Sequence, residues 1–147
     1  MTPENYLHQQ ELSQLANKLF MFTDAQQWQK LLDEVFVEEI WFDMSSIGAG
    51  EPKNIKAKDL CEMWRQGFVG LDAVHHQAGH YIIEVNQINA LIFGYAVALH
   101  YKKSALNGKT RSFVGSYDLA AILTDRGWRL SSFKYNLKFI DGNPDLT

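Results

Sequence analysis

Leu71-Asp-Ala-Val-His-His-Gln-Ala-Gly-His80 runs into Tyr81-Ile-Ile-Glu-Val85, then Asn86-Gln-Ile-Asn89, then Ala90-Leu-Ile-Phe-Gly-Tyr-Ala-Val-Ala-Leu-His100. Both long arms are rich in β-branched and aromatic residues, and the short middle segment carries turn residues, so the stretch reads as a β-hairpin. Taking Gln87 to Asn89 as a three-residue loop pairs Asn86 with Ala90, and counting outward sets His76 across from His100. Directly opposed side chains of an antiparallel pair lie roughly 5 Å apart at Cβ. Imidazole is the side chain whose unperturbed pKa lies nearest neutrality, so two histidines facing one space mark a candidate proton-transfer site.

The same pattern continues downstream. Leu106-Asn-Gly108 and Asp125-Arg-Gly127 are further turn signals, and the runs between turns are long and alternating. They predict a four-strand antiparallel meander from Val74 onward. Upstream, Thr2-Pro3 predicts a helix start, with Tyr6, Leu12, Leu15, Leu19 and Phe22 at helical spacing. Thr23-Asp-Ala-Gln26 reads as a second, capping-box start leading through Trp28. Val35 to Ser46 reads as a strand, Gly48 to Pro52 as a break, and Lys56 to Phe68 as a third helix. Helices followed by a long curved sheet define an α+β fold in a single domain spanning residues 1–147.

Composition narrows the function classes. The chain has 147 residues, is 46% hydrophobic and 13% aromatic, and carries a net charge of −3. No Lys/Arg stripe is available to neutralise phosphates, which argues against nucleic acid as a partner. No apolar run approaches the roughly 20 residues that span a bilayer, so no membrane partner is expected. Cys61 is alone, no signal peptide opens the chain, and a cytoplasmic location is the expectation.

The two faces of the predicted sheet differ. Leu91, Phe93, Tyr95, Val97 and Leu99 alternate with Ile92, Gly94, Ala96, Ala98 and His100. Small residues beside isolated polar ones suit a ligand cavity. The bulky face needs its own cover, and a homo-oligomer, dimer or trimer, is the expected one. A three-residue Leu106-Asn107-Gly108 loop places Ser116 and Asp118 on the face of His100; a two-residue turn places Gly115 and Tyr117 there. The first keeps the small and polar positions together and is preferred.

From about Phe20 to Lys138 the order of elements resembles the SnoaL-like families of the nuclear-transport-factor-like cone fold. Within it, the histidine region is most similar to scytalone dehydratase. The resemblance implies a cone-shaped α+β barrel, with N-terminal helices packed on a curved, mostly antiparallel mixed sheet around a pocket. An aspartate four residues before a tryptophan is matched by Asp24 and Trp28, the pocket histidines by His76 and His100, and a later serine by Ser116. Asp118 stands where that pattern has asparagine. The two tyrosines that orient water in that family fall at Thr23 and Asp43. The resemblance thus implies Asp24 as the partner of His76.

Each candidate has a plainer reading beside it. Asp24 can be a helix N-terminal acid, Asp43 an exposed strand-edge carboxylate, and Asp118 a cross-strand partner of Lys134. Tyr6, Phe20, Trp41, Trp64 and Phe68 read as core residues of which one or two line the cavity. His75 and His80 are expected to be exposed or structural. His76 and His80 are too far apart on one strand to share a zinc, roughly 13 Å, so no metal and no cofactor is expected. The sequence reading is an acid/base lyase or isomerase, dehydratase-like, working through Asp24, His76 and His100 on a small hydrophobic cyclic or aromatic molecule. Asp43, Ser116, Asp118, Trp41, Trp64 and Phe68 are its expected substrate contacts. A non-catalytic ligand-binding or assembly module is the alternative, as is a polyketide-cyclase or ketosteroid-isomerase-like enzyme using Asp43 or Asp118 as base.

Overall fold

The computed structural model describes residues 2–147. Helix α1 spans Pro3–Asp24, capped where expected: the Thr2 hydroxyl accepts from the Asn5 N–H at 3.1 Å. Leu12, Leu15, Ala16, Leu19, Phe20 and Thr23 form its buried stripe, at the spacing that keeps one helical face on a core. The expected second start at Thr23 is not there. α1 runs through it, and the Thr23 hydroxyl turns back to donate to the Leu19 carbonyl at 2.6 Å. After a left-handed Gln26, a short helix α2 (Trp28–Lys30) widens into a π-helical turn, Leu31–Val35.

Strand β1 (Phe36–Asp43) follows, then β2 (Lys53–Lys56) and helix α3 (Ala57–Gly67). β2 lies directly after the segment read as a break. The meander comprises β3 (Ala73–Asn86), β4 (Asn89–Tyr101), β5 (Thr110–Thr124) and β6 (Gly127–Gly142). The six strands lie in the order β2-β1-β6-β5-β4-β3, with β1 parallel to β6 and every other pair antiparallel. The fold class is therefore the expected mixed α+β cone, but the sheet is open rather than a closed barrel: β2 and β3 are unjoined edges.

The helices cover the concave face, where Leu12, Leu19, Leu31, Ile40, Leu60, Ile92 and Leu130 are essentially inaccessible. Burying each such side chain contributes about 1.5–3 kcal/mol. Alternation in β4 follows the expected split: Ala90, Ile92, Ala96 and Ala98 are buried, while Leu91, Tyr95 and Leu99 are exposed on the convex face. No helix among the described residues is long and apolar enough to cross a membrane.

Two departures in the β3–β4 hairpin decide which side chains share the concave face. The loop is one residue shorter than expected, pairing Asn86 with Asn89 and leaving Gln87 and Ile88 as the turn. By itself this would move His76 to the face opposite His100, because side chains alternate with a period of two. A β-bulge between Gly79 and Ile82, with His80 in the left-handed region at φ 56°, absorbs one extra residue of β3 and restores the phase. The outcome is His76 opposite Ala98 and His100 opposite Val74. The histidines are thus diagonal neighbours on one face, not a directly opposed pair.

The β4–β5 connection also differs from expectation. Residues 102–109 form a longer loop, pairing Tyr101 with Thr110 and His100 with Arg111. Phe113, Gly115 and Tyr117 consequently share the face of His100. Ser116 and Asp118 point to the convex side, contrary to the preferred register.

Candidate active site

Asp24 is the last residue of α1, at the end where the helix dipole disfavours a negative charge. The N-terminal-acid reading of this residue is therefore excluded. Its carboxylate is instead held by β3: Oδ2 accepts from the His76 backbone N–H at 2.7 Å, and Oδ1 lies 2.5 Å from His76 Nδ1. The side chains of Asp24 and His76 are only 17% and 11% exposed. With the carboxylate accepting at both oxygens, Nδ1 is the donor to Oδ1, and the neutral form of the imidazole so held has its lone pair on Nε2. The Phe20 ring lies 5.4 Å from the imidazole and fixes its tilt.

His76 forms part of the wall of a cavity of about 290 Å³ between α1, α3 and the concave sheet. The surrounding surface is apolar, with Leu19, Phe20, Phe42, Met44 and Phe133 among its residues. Of the expected contacts, Trp64 and Phe68 do line it. Trp64 packs 5.4 Å from Phe133, and Phe68 stands edge-on 5.8 Å from His100.

His100 also lines this cavity, in a different electrostatic setting. Its Nδ1 accepts from Arg111 Nε at 3.0 Å. Burial, followed by the neighbouring Arg111 and His76, lowers its pKa to about 4 against the opposing pull of Asp24. At neutral pH His100 is thus an uncharged imidazole, a hydrogen-bond donor rather than an acid.

The remaining expected contacts lie elsewhere. Ser116 and Asp118 both accept from Asn136 Nδ2, at 3.2 and 2.8 Å, on the convex face. Asp118 sits across from Lys134 in register, but its hydrogen-bond partner is Asn136. Trp41 is 45% exposed on that same side. Asp43 closes β1 with an Asx turn, its Oδ1 accepting from the hydroxyl and the N–H of Ser45; those bonds lower its pKa. Neither Asp43 nor Asp118 borders the cavity, so neither is placed to act as a base there. His75 is largely exposed, and His80 sits in the bulge.

Arg111 and Tyr135 have no place in the sequence reading of the site, and Tyr117 enters it only through the register that was not preferred. Tyr117 and Tyr135 line the cavity from adjacent strands, their rings 4.9 Å apart. Burial raises the pKa of both, Tyr135 to about 12, so both remain protonated donors at neutral pH. The Tyr135 hydroxyl is buried without a hydrogen-bond partner among the described residues. Alternation from Phe133 and from Phe113 was the available signal for both tyrosines. Among the described residues, no group of three or more His, Cys, Asp or Glu side chains is placed to hold a metal ion.

The molecule is thus a small α+β pocket protein, an open cone in which a helix-end carboxylate is bonded to a cavity histidine. The chain belongs to the SnoaL-like domain family, whose sequence profile matches residues 5–134. Its fold is similar to that of the Kfla4162 protein from Kribbella flavida, at 23% identity, 97% coverage of both chains and a TM-score of 0.90. It is also similar to a provisional scytalone dehydratase from Novosphingobium aromaticivorans (13% identity, 97% of this chain and 92% of that one, TM-score 0.81). A third similar structure is the hexachlorocyclohexane dehydrochlorinase LinA-type3 from Novosphingobium barchaimii (12% identity, 95% and 92%, TM-score 0.77). No curated protein sequence matches the chain significantly.

Proposed function

We propose that the chain is an acid/base enzyme that removes a proton from a small, hydrophobic, cyclic or aromatic molecule and releases a leaving group from the neighbouring carbon. The observation that carries this reading is the Asp24–His76 pair: a two-point carboxylate contact that leaves Nε2 of a cavity histidine free as base. Structural relatives named as a dehydrochlorinase and a provisional dehydratase are consistent with an elimination of this kind.

The steps follow from the protonation states. His76 Nε2 takes the proton from a carbon next to a carbonyl, and the C–H electron pair moves toward the carbonyl oxygen. Asp24 stabilises the imidazolium that forms. The N–H of neutral His100 holds the oxygen on which charge collects. The pair then forms the C=C bond as the leaving group departs, and imidazolium His76 returns its proton if the leaving group is hydroxide, giving water. A buried neutral donor suits charge collecting on an enolate better than protonating a leaving group. Positioned proton transfer contributes about 10²–10⁴-fold in rate. The apolar walls must supply orientation and exclude water.

The first half-reaction is testable without knowing the leaving group. Exchange of the α-protons of 1-tetralone and 2-tetralone in D2O, followed by proton NMR, reads base catalysis alone. The protein is expected to accelerate exchange over buffer, and His76→Ala to remove the acceleration. Unchanged exchange in His76→Ala, with the tetralone still bound, overturns the proposal.

A further inference from the structure

We propose that Arg111 is a positioning residue for His100, and that the turn at residues 143–147 is the brace that holds Arg111 in that role. A neutral imidazole has one donor and one acceptor nitrogen, and a guanidinium can only donate. The Arg111 Nε–H pointing at His100 Nδ1 therefore fixes Nδ1 as the acceptor and puts the ring proton on Nε2. A histidine left to itself samples both tautomers. This one is committed to presenting a donor.

Arg111 is in turn held on several sides. Its Nη1 donates to the Pro144 carbonyl at 2.9 Å, its guanidinium carbon lies 5.4 Å from the Phe113 ring centroid, and the charge of Asp145 opposes its own. The turn that supplies Pro144 and Asp145 is tied down independently of Arg111. Asn143 is 7% exposed, and its side-chain amide donates to the Gly108 and Thr147 carbonyls at 2.9 and 3.0 Å. Its backbone N–H donates to Thr110 at 2.9 Å, and Leu146 is 2% exposed. Gly142, at φ 89°, lets the chain leave β6 close against β5, where a Cβ would meet the Thr110 carbonyl at 2.5 Å.

The charged or titratable groups facing His100 are Arg111 from β5, His76 from β3 and Asp24 from α1; the residue that follows α3 contributes the Phe68 ring. Arg111 is the one that bonds directly to the imidazole. The consequence concerns what the cavity accepts. Beside His100 a ligand must place a hydrogen-bond acceptor, such as a carbonyl oxygen or a halogen, and a protonated amine there meets an N–H with no lone pair. Giving that donor a substrate rests on the proposed elimination; the tautomer itself does not.

The test is nitrogen-15 NMR of the full chain labelled at histidine, with His100 assigned through His100→Gln. The unmodified protein is expected to show one tautomer, protonated at Nε2, across neutral pH. In Arg111→Met, His100 is expected to become a tautomer mixture and its titration midpoint to rise by about one pH unit or more. Leu146→Ala, which loosens the turn without touching His100, is expected to shift both readouts in the same direction. Protonation at Nδ1 in the unmodified protein overturns the proposal whatever the variants do. Unaltered His100 signals in folded Arg111→Met overturn the role of Arg111, and unaltered signals in Leu146→Ala overturn the brace. A single Nε2–H tautomer in a protein that catalyses no α-proton exchange leaves this inference standing and removes the catalytic one.

Discussion

Asp24→Asn is the sharpest perturbation of the site, because a neighbouring backbone group dictates how the amide must sit. In the native pair the His76 backbone N–H donates to Oδ2 at 2.7 Å, and that N–H can only be met by an acceptor. An asparagine at position 24 must therefore turn its oxygen toward the backbone and its NH2 toward Nδ1, which the carboxylate holds at 2.5 Å. Facing a donor, Nδ1 becomes the acceptor and the proton moves to Nε2, the nitrogen that has to act as base. Both hydrogen bonds survive with their charge assistance lost, so the stability cost is about 1 kcal/mol. Asp24→Ala, by contrast, leaves the His76 N–H unpaired, at about 1–3 kcal/mol. The carboxylate also sits at the unfavourable end of α1, which makes its neutralisation cheaper still. The expectation is a folded Asp24→Asn protein, more stable than Asp24→Ala, with α-proton exchange of the tetralones reduced by about 10²–10⁴-fold. Thermal melts and the exchange assay on the two variants check it. Exchange at the native rate in Asp24→Asn, with His76 protonated at Nε2 by nitrogen-15 NMR, refutes the reasoning.

Three further outcomes are expected. His100 has a pKa of about 4 in the folded chain against an ordinary 6.5, so between these values the unfolded chain binds more protons. Its contribution is fully present above pH 6.5 and is lost as pH falls toward 4, amounting to roughly 2 kcal/mol by pH 5; denaturant melts should show His100→Gln flattening that slope. Tyr135→Phe removes a buried hydroxyl that has no partner and should leave the melting temperature unchanged or raise it, since no hydrogen bond within the chain is broken. Finally, a second copy of the chain is the proposed cover for the convex face bearing Trp41, Ile82, Leu91, Tyr95 and Phe139. Light scattering should find an assembly that Leu91→Glu returns to monomer, and a monomeric unmodified chain at micromolar concentration would remove the proposal.

How much of this was legible in the sequence differs from one side chain to the next. The small-against-bulky alternation in 90–100 assigned the cavity face of β4, because a period of two leaves no freedom once one face is buried. Asp24 was reachable only through family resemblance: its partner lies on β3, far along the chain, and no local pattern encodes such a contact. Ser116 and Asp118 were assigned to the wrong face because a three-residue Leu106-Asn107-Gly108 loop was preferred for keeping the small and polar positions together. In the structure Gly108 lies in a longer loop, and its carbonyl receives the Asn143 side chain. Turn chemistry was spent on docking a distant segment instead of closing the strands. The bulge at His80 was equally silent, since it uses a histidine in the left-handed region where glycine is the usual signal.

That bulge makes β3 a strand with two phases. Residues 73–79 and 82–86 are each regular, but they are read against β4 half a period apart. Straightening the bulge with its residue retained would slide residues 73–79 one place along β4, pair His76 with Leu99 and send its side chain to the outer surface, whereas removing one residue at 80–81 would leave His76 across from Ala98. The same slip would strand Asp24 at the end of its helix. The inward face of His76 therefore hangs on the bulge holding two residues of β3 against one of β4, and a one-place slip of the strand is a route by which such a chain could exchange a reactive interior for an inert one without rebuilding its fold.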